Sequence, residues 1–307
     1  MSSTLLAYRN ALQRALDDVG LYLVTSVSSV SVLCNSLINS ATGASTGRYN
    51  GAYAYIQSGT GVGNQGVIKE NSYVPSTGSI TIQRSSGWDT SPAAGSVIEI
   101  TRLFPSIGAG SAVGAQTDDT DYRSLINRAL AYILIPDQVS VTTVANQQEY
   151  SLSTYAYWLD REARLTGVLD PARASGWPTR PTWRRWELQL DGGTPTLQFI
   201  DRAYPTSGAT FEVVVRRPAD TLISGAESTT GLSADTDTAV PAVNDVVTVG
   251  LMLAYEALMN RSPGRPNGDY LKRWTGQIDL ARRVAGYDRT QETPQQQAAA
   301  PVAVGAA

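Results

Sequence analysis

The side chains that most often perform catalysis are scarce in this chain. It has no histidine and a single cysteine, Cys34. Without histidine, a Ser-His-Asp or Cys-His nucleophile, a histidine zinc site and an imidazole pH switch are excluded. A single cysteine provides neither an intrachain disulfide nor a cysteine-based zinc site. The acid–base candidates are therefore carboxylates, and those beside predicted strands or turns are Glu149, Glu162, Glu187 and Glu212. No partner would make one of them a proton donor, so we predict no enzymatic activity, no cofactor and no transition metal.

Two kinds of short motif resemble ligand sites. Gly61-Val-Gly-Asn-Gln-Gly66 matches the GxGxxG pattern, but the run after it is typical of a strand. Because a dinucleotide needs a helix N-terminus there, we interpret the motif as a hairpin loop. The acidic clusters Asp118-Asp119-Thr120-Asp121 and Asp235-Thr236-Asp237 contain ligands suited to calcium or magnesium. The first precedes a predicted helix and the second lies in a polar segment, so we favour helix capping and a solvated loop, with metal binding as the alternative.

Aromatic and basic side chains alternate in one proline-containing stretch. Tryptophan and arginine dominate interface hot spots, and the prolines favour an extended arm lying across a neighbour. We therefore predict a subunit interface, with packing inside the domain or binding of nucleic acid or glycan as alternatives. The residues concerned are Trp177, Trp183, Arg184, Arg185 and Trp186.

The overall charge is close to neutral. The chain has 307 residues, 17% charged residues and a formal net charge of −3, so it has no broad cationic field for nucleic acid or anionic lipid. No apolar run reaches the roughly 18 residues of a membrane span, and we predict no membrane partner. The N-terminus also lacks the cationic start of a signal peptide. We expect the chain to be made and used, or assembled, in the cytoplasm.

Apolar residues recur at helical spacing in four segments. In the first, Arg9 is expected on the polar face, and Gly20 is expected to end the helix. Pro136 is expected to stop the second helix, and Pro241 to begin the third. The third is apolar over more than half its surface, so we expect it, including Leu251, at the centre of a bundle. The predicted helices span residues 3–19, 118–135, 240–261 and 268–286.

Short β-like runs fill the segments between these helices. Turn residues at regular spacing predict a small barrel or sandwich in the first of them, and 219–239 is expected to be a polar loop. The predicted fold class is α+β, a helical bundle with two inserted antiparallel β units. The predicted domains are a helical ring-forming bundle of 1–20, 117–136 and 240–288, an N-terminal β domain of 21–105, a second β domain of 137–225, and a flexible C-terminal tail of 289–307.

Five segments between residues 118 and 285 follow one another in a recognisable order. They are Leu125-Ile-Asn-Arg-Ala-Leu130, Thr142-Thr-Val-Ala-Asn-Gln-Gln-Glu-Tyr150, Trp186-Glu-Leu-Gln-Leu190, Thr210-Phe-Glu-Val-Val-Val-Arg-Arg-Pro218 and Leu253-Ala-Tyr-Glu-Ala-Leu258. In this order they resemble the head–tail connector (adaptor) proteins of tailed bacteriophages.

This resemblance implies a structural protein of the virion neck. Such adaptors form a homo-oligomeric ring, usually a dodecamer, that docks onto the phage portal protein and links the capsid to a tail or nozzle protein. Genomic DNA passes through the channel without sequence-specific binding. A closed head-to-tail ring requires two different complementary surfaces on each subunit. The alternatives are a phage tail or appendage β-module protein that binds host glycan or another tail component, and a hydrolase that uses carboxylates.

The resemblance also indicates a role for the C-terminal end, because an extension there often reaches the portal in these adaptors. The last predicted helix is basic, and the tail after it is uncharged but retains apolar residues, which suits ordering on a partner. The predicted portal interface comprises Arg273, Arg282, Arg283, Arg289, Val302 and Val304.

Overall fold

The structure, a computed structural model, describes residues 2–18, 20–28, 30–83, 90–106, 121–142, 144–155, 164–170, 182–183, 186–191, 194–199, 210–261 and 268–285. The α-helices of this part are α1 (Leu5–Ala15), α2 (Tyr122–Tyr132), α3 (Val243–Asn260) and α4 (Gly268–Val284). The first strands are β1 (Ser3–Thr4), β2 (Gly20–Leu23), β3 (Ser26–Val27), β4 (Ser31–Leu33), β5 (Tyr53–Ser58), β6 (Gln65–Val67), β7 (Ser79–Thr81) and β8 (Val97–Thr101). The others are β9 (Leu134–Thr142), β10 (Glu149–Ser151), β11 (Arg164–Asp170), β12 (Thr182–Trp183), β13 (Trp186–Asp191), β14 (Thr194–Phe199), β15 (Thr210–Pro218), β16 (Leu222–Ile223), β17 (Ala226–Glu227) and β18 (Thr238–Ala239).

The predicted fold class is wrong. Within the described residues, four helices accompany five sheets, so the chain is mostly β rather than a helical bundle with two inserted β units. The sheets have the orders β1-β18-β16-β17, β2-β8-β5-β6, β3-β4-β7, β12-β11-β15-β9 and β10-β14-β13. Several strands are only two or three residues long, too short to show a period of two in the sequence.

The four predicted helices are present, and they share one hydrophobic core. Helices α1, α2 and α3 contact one another, whereas α4 packs chiefly on α3. At Gly250 the absence of a side chain lets α1 approach, because a Cβ there would lie 3.2 Å from Leu12 Cδ2. Leu251, expected at the centre, is only partly buried, whereas Leu253 is 1% exposed. The buried stripe of α3 therefore runs slightly to one side of the predicted one.

Two helix ends differ from the prediction. Helix α1 ends at Ala15, and the left-handed residue after it is Asp17, with φ 56°, so Gly20 does not end the helix but begins β2. Pro136 lies inside β9, after α2 has ended at Tyr132. At the N-termini, Asp121 is the N-cap of α2, as predicted, and its carboxylate accepts a 2.6 Å hydrogen bond from Ser124 N. Pro241 does not begin α3, which starts at Val243 after the N-cap Ala242.

A small sheet attaches the N-terminus to the segment before α3. Ser3 pairs with Ala239, β16 pairs with β17 and β18, and Leu5 N donates to Asp237 O at 2.9 Å. Residues 219–239 are thus not simply a polar loop. The hydroxyl of Tyr8 completes the attachment, because it donates to Ala239 O and lies 2.6 Å from Pro241 O.

Residues 20–101 form a small closed barrel, one of the two predicted alternatives for this segment. Strand β2 pairs with β8, then β8 with β5 and β5 with β6. Hydrogen bonds from Lys69 N to Thr81 O and from Gln83 N to Val67 O link β6 to β7, which pairs with β4. Strand β4 pairs with β3, and Thr25, between β2 and β3, donates to Leu33 O. Strands β2 and β3 are consecutive segments of one bent stretch of chain, so backbone hydrogen bonds connect all seven strands in a closed ring.

The barrel has a hydrophobic core separate from that of the helices. Ile56, Ile80 and Ile98 are fully buried in it. Cys34 is fully buried too, and burial raises the pKa of its thiol to about 11. A thiol held protonated in an apolar interior is a packing residue rather than a nucleophile.

The second β region pairs β15 with both β9 and β11, while β10, β14 and β13 form a separate sheet. Strand β9 lies at a sheet edge, where unpaired N–H groups invite further strands. Pro136 has no N–H, and the next N–H on the same side of the strand, that of Gln138, donates to Asp137 Oδ1 at 2.8 Å. The first half of this edge is therefore blocked against strand addition.

Candidate functional site

Helix α4 positions three of the residues predicted to contact a portal. Arg273, Arg282 and Arg283 are all exposed on it. Arg282 and Arg283 lie in its last turn, where positive charge is favoured by the helix dipole. Arg289, Val302 and Val304 lie outside the described residues.

One side of α4 packs on α3 and the other is free among the described residues. Ala281 is buried against α3, and Gln277 Nε2 donates to Thr248 O at 3.0 Å. On the other side, Leu271 and Leu280 are 42% and 44% exposed. We call the exposed residues Leu271, Lys272, Asp279, Leu280, Arg282 and Arg283 the outer surface of α4, which carries three basic side chains and one acidic one. A basic helix with exposed leucines is typical of a surface that contacts another molecule.

A cleft of about 340 Å³ opens where the helical core meets the barrel. Its walls come from the end of α1, the residues after β8, and helices α3 and α4. Lining it are Leu16, Asp17, Asp18, Arg102, Leu103, Tyr255, Leu258, Tyr270 and Arg273. The structure thus brings Arg273, predicted from the basic face of the last helix, together with Arg102, which no motif in the sequence singled out.

The predicted subunit interface is only partly described. Trp183 lies in β12, opposite Leu169 of β11, and Trp186 begins β13, opposite Phe199 of β14. Trp177, Arg184 and Arg185 lie outside the described residues. Trp183 and Trp186 are therefore on strands of different sheets, and the interface itself stays a prediction.

A buried polar cluster joins the helical core to the barrel. Arg9, on α1, is fully buried and makes two hydrogen bonds to Asp235, of 2.7 and 3.2 Å. Its Nη2 lies 3.6 Å from Oε2 of Glu99, a fully buried residue of β8. Glu99 also accepts hydrogen bonds from Gln13 and, at 2.5 Å, from the Ser106 hydroxyl. We call Arg9, Gln13, Glu99, Ser106 and Asp235 the Arg9–Glu99 cluster. Its single cation, Arg9, contacts both carboxylates and so connects α1 to the barrel and to the segment before α3.

A second buried carboxylate fixes the same junction. Asp18 accepts hydrogen bonds from Arg102 N at 2.7 Å, Leu103 N at 2.9 Å and the Tyr122 hydroxyl at 2.6 Å. Burial raises the pKa of the Asp18 carboxyl above its usual range, and these hydrogen bonds oppose the rise. Burial likewise raises the pKa of Tyr122 far above its usual value. Asp18 therefore ties the end of α1 to the residues after β8 and to the start of α2.

The acidic and glycine motifs have structural roles where they are described. Asp237 accepts hydrogen bonds from Ser233 N and Ala234 N, which lower the pKa of its carboxyl, while Asp235 pairs with Arg9. No group of three metal-ligating side chains occurs among the residues that the structure describes. Gly61-Val-Gly-Asn-Gln-Gly66 connects antiparallel β5 and β6, which confirms the hairpin loop. Asp118 and Asp119 lie outside the described residues.

The carboxylates considered for acid–base work lie in two sheets. Glu149 is exposed in β10, and Glu187 is on β13 of the same sheet, where both are opposite Gln198 of the central strand β14. Glu212 lies in β15 of another sheet, and Glu162 is outside the described residues. Glu212 faces Ser140 across the sheet. The described backbone positions show no pair of these residues facing each other across a strand pair.

Comparisons with known proteins identify no relative. No family model, no curated protein and no solved structure matches this chain. Among the described residues, no helix is both long and apolar enough to cross a membrane.

Proposed function

We propose that this protein is a structural component of a phage virion, a head–tail adaptor that forms a ring on the portal and links the capsid to a tail or nozzle protein. The ring would leave a channel for genomic DNA, and the subunit would need neither a cofactor nor catalytic activity. This proposal does not depend on a helical bundle. It depends on the resemblance of the element order and on the surfaces that the folded chain leaves unpartnered.

One observation supports the proposal most directly: two chemically different unpartnered surfaces lie on two different cores. The outer surface of α4 is basic and belongs to the helical core. The other, which we call the β2 surface, consists of Leu21 and Leu23, 44% and 55% exposed on the barrel. Leu21 and Leu23 alternate along β2 with Tyr22, which packs on the barrel core, so both leucines lie on the outside of the barrel. A head-to-tail ring needs two unlike surfaces of this kind, whereas a two-fold dimer needs one surface that matches itself.

Native mass measurement and electron micrographs of the full chain test this proposal. We expect one closed ring of fixed subunit number, and the resemblance implies twelve. The double variant Leu21→Asp/Leu23→Asp should lose the ring but keep its melting temperature, because both side chains are exposed.

A matched control is Val62→Asp, since Val62 is 58% exposed on the turn after β5 of the same barrel but outside the β2 surface. This variant should assemble normally. A chain that stays monomeric at all concentrations, with and without a portal protein, would contradict the adaptor function. Rings that persist in the double variant would show that the contact lies elsewhere.

A further inference from the structure

Arg102 and Arg273 line the cleft between the helical core and the barrel, Arg48 lies beside Arg102, and none of the three is paired with a carboxylate among the described residues. Arg102 is exposed, and its Nη2 donates to the carbonyl of Arg48 at 3.0 Å. The Arg273 guanidinium lies 5.9 Å from the ring centroid of Tyr255. Arg48 and Arg102 lie over the Tyr49 ring, at 5.4 and 5.8 Å. Carbonyl and ring contacts orient these three guanidinium groups without neutralising them, so their charge is available to an anionic partner.

Leucine and tyrosine side chains form part of the inner wall of the cleft. Leu16 and Leu258 are 9% and 7% exposed, and Leu103 lies beside them. Tyr255 and Tyr270 are stacked on each other, with centroids 6.3 Å apart and planes 24° apart. Leucine walls under a rim of arginine form the kind of pocket that receives one apolar side chain flanked by acidic ones.

Nucleic acid fits this cleft less well than polypeptide does. Asp17 is the exposed carboxylate of the cleft, and a peptide can place its own carboxylates at Arg102 and Arg273, away from it, whereas the evenly charged phosphate backbone of a nucleic acid cannot avoid it. Tyr255 is 8% exposed and its ring is stacked on Tyr270, so Tyr255 offers no open ring to a base. A peptide, by contrast, has backbone N–H groups that an exposed carboxylate such as Asp17 can accept.

We propose that this cleft binds an acidic polypeptide segment of a partner protein, with an apolar side chain on its leucines and carboxylates against Arg102 and Arg273. The contact would be charge-assisted at the rim and hydrophobic inside. It holds whether or not the protein forms a ring, because every residue of the cleft lies within one subunit.

Fluorescence anisotropy with the full chain tests the proposal. The probe is a labelled heptapeptide, Gly-Glu-Asp-Leu-Glu-Asp-Gly, compared with the same peptide carrying lysine at its four acidic positions and with a short duplex DNA. We expect saturable binding of the acidic peptide alone, weakened by added salt. Arg273→Glu should raise the Kd at least about tenfold, as expected for reversing a charge at a contact.

The matched control is Arg282→Glu, which makes the same charge change on an exposed residue of α4 that does not line the cleft. It should leave the Kd within about twofold, since a remote surface charge is largely screened. Equal losses in the two variants would overturn the proposal, because the effect would then be general electrostatics. Stronger binding of the DNA, or no preference for the acidic over the lysine peptide, would overturn it as well.

Discussion

The side chain of Glu99 is fully buried, and four side chains contact its carboxylate. Gln13 of α1 and Ser106 donate to Oε1, and Gln57 of β5 donates to Oε2 at 3.2 Å. Arg9 supplies the opposite charge. At the scale of single residues, Glu99 is therefore one of two buried carboxylates at the junction between the two cores, and side chains from several elements donate hydrogen bonds to it.

Replacing Glu99 with leucine should lower the free energy of unfolding by about 3–5 kcal/mol, because Arg9 and Gln13 would be left buried without that partner. Urea denaturation measures the loss. The control Glu70→Leu, at an exposed position of the barrel, should stay within about 0.5 kcal/mol. In the double variant Arg9→Met/Glu99→Leu the loss should be smaller than in Glu99→Leu alone, since the carboxylate then left without its cation, Asp235, is partly exposed to water. A Glu99→Leu variant as stable as the parent would show that Asp235 alone satisfies Arg9.

Sequence periodicity placed Arg9 on the polar side of α1, and the structure buries it completely. The amphipathic pattern was read correctly, but a second layer, the barrel, covers that polar side. The partners of Arg9 are Glu99 and Asp235, far away in the chain. No local pattern can reveal a pairing that depends on how two distant segments meet.

At the scale of elements, α3 is the helix that the others share, since α1, α2 and α4 all contact it. Leu253→Ala should cost about 2–5 kcal/mol, because Leu253 is buried at the centre of the helical core. Leu251→Ala, two residues away on the same helix and only partly buried, should cost clearly less. Thermal melts of both variants make the comparison. Equal losses would contradict the assignment of the buried stripe.

A helix or strand could be predicted only where the spacing of apolar residues within its own sequence reveals it. Long amphipathic helices such as α2 and α3 are long enough for the spacing of their apolar residues to be read. Strands such as β1 and β18 are two residues long and pair only with each other or with β16, so nothing in their own sequence marks them. Of the two arginines that line the cleft, Arg273 could be predicted as a surface cation from the basic face of its helix. Arg102 could not be predicted, because its position in the cleft depends on how the barrel packs against the helices.

At the scale of the whole molecule, the described chain has a helical core and a barrel core, joined by the Arg9–Glu99 cluster and by Asp18.

The C-terminal residues follow α4, whose outer surface is basic. Deleting residues 290–307 should leave the melting temperature unchanged, because the described cores contain none of these residues. If the proposed function holds, the truncated protein should attach to filled heads less tightly and allow DNA to leak. Truncated protein that joins heads and tails as efficiently as the full chain would place portal docking elsewhere.

The pairing of Ser3 with Ala239 has a consequence for how the protein is made. A ribosome releases the N-terminus first, and the barrel can close once residues through Thr101 have emerged, because all its strands lie in one continuous stretch. Helix α1 is fully covered only when both α2 and α3 have been synthesised, because Leu5, Tyr8 and Leu12 belong to the core that these helices share. A chain stalled midway therefore has a finished barrel and an incompletely covered apolar helix, which is the type of surface that chaperones bind.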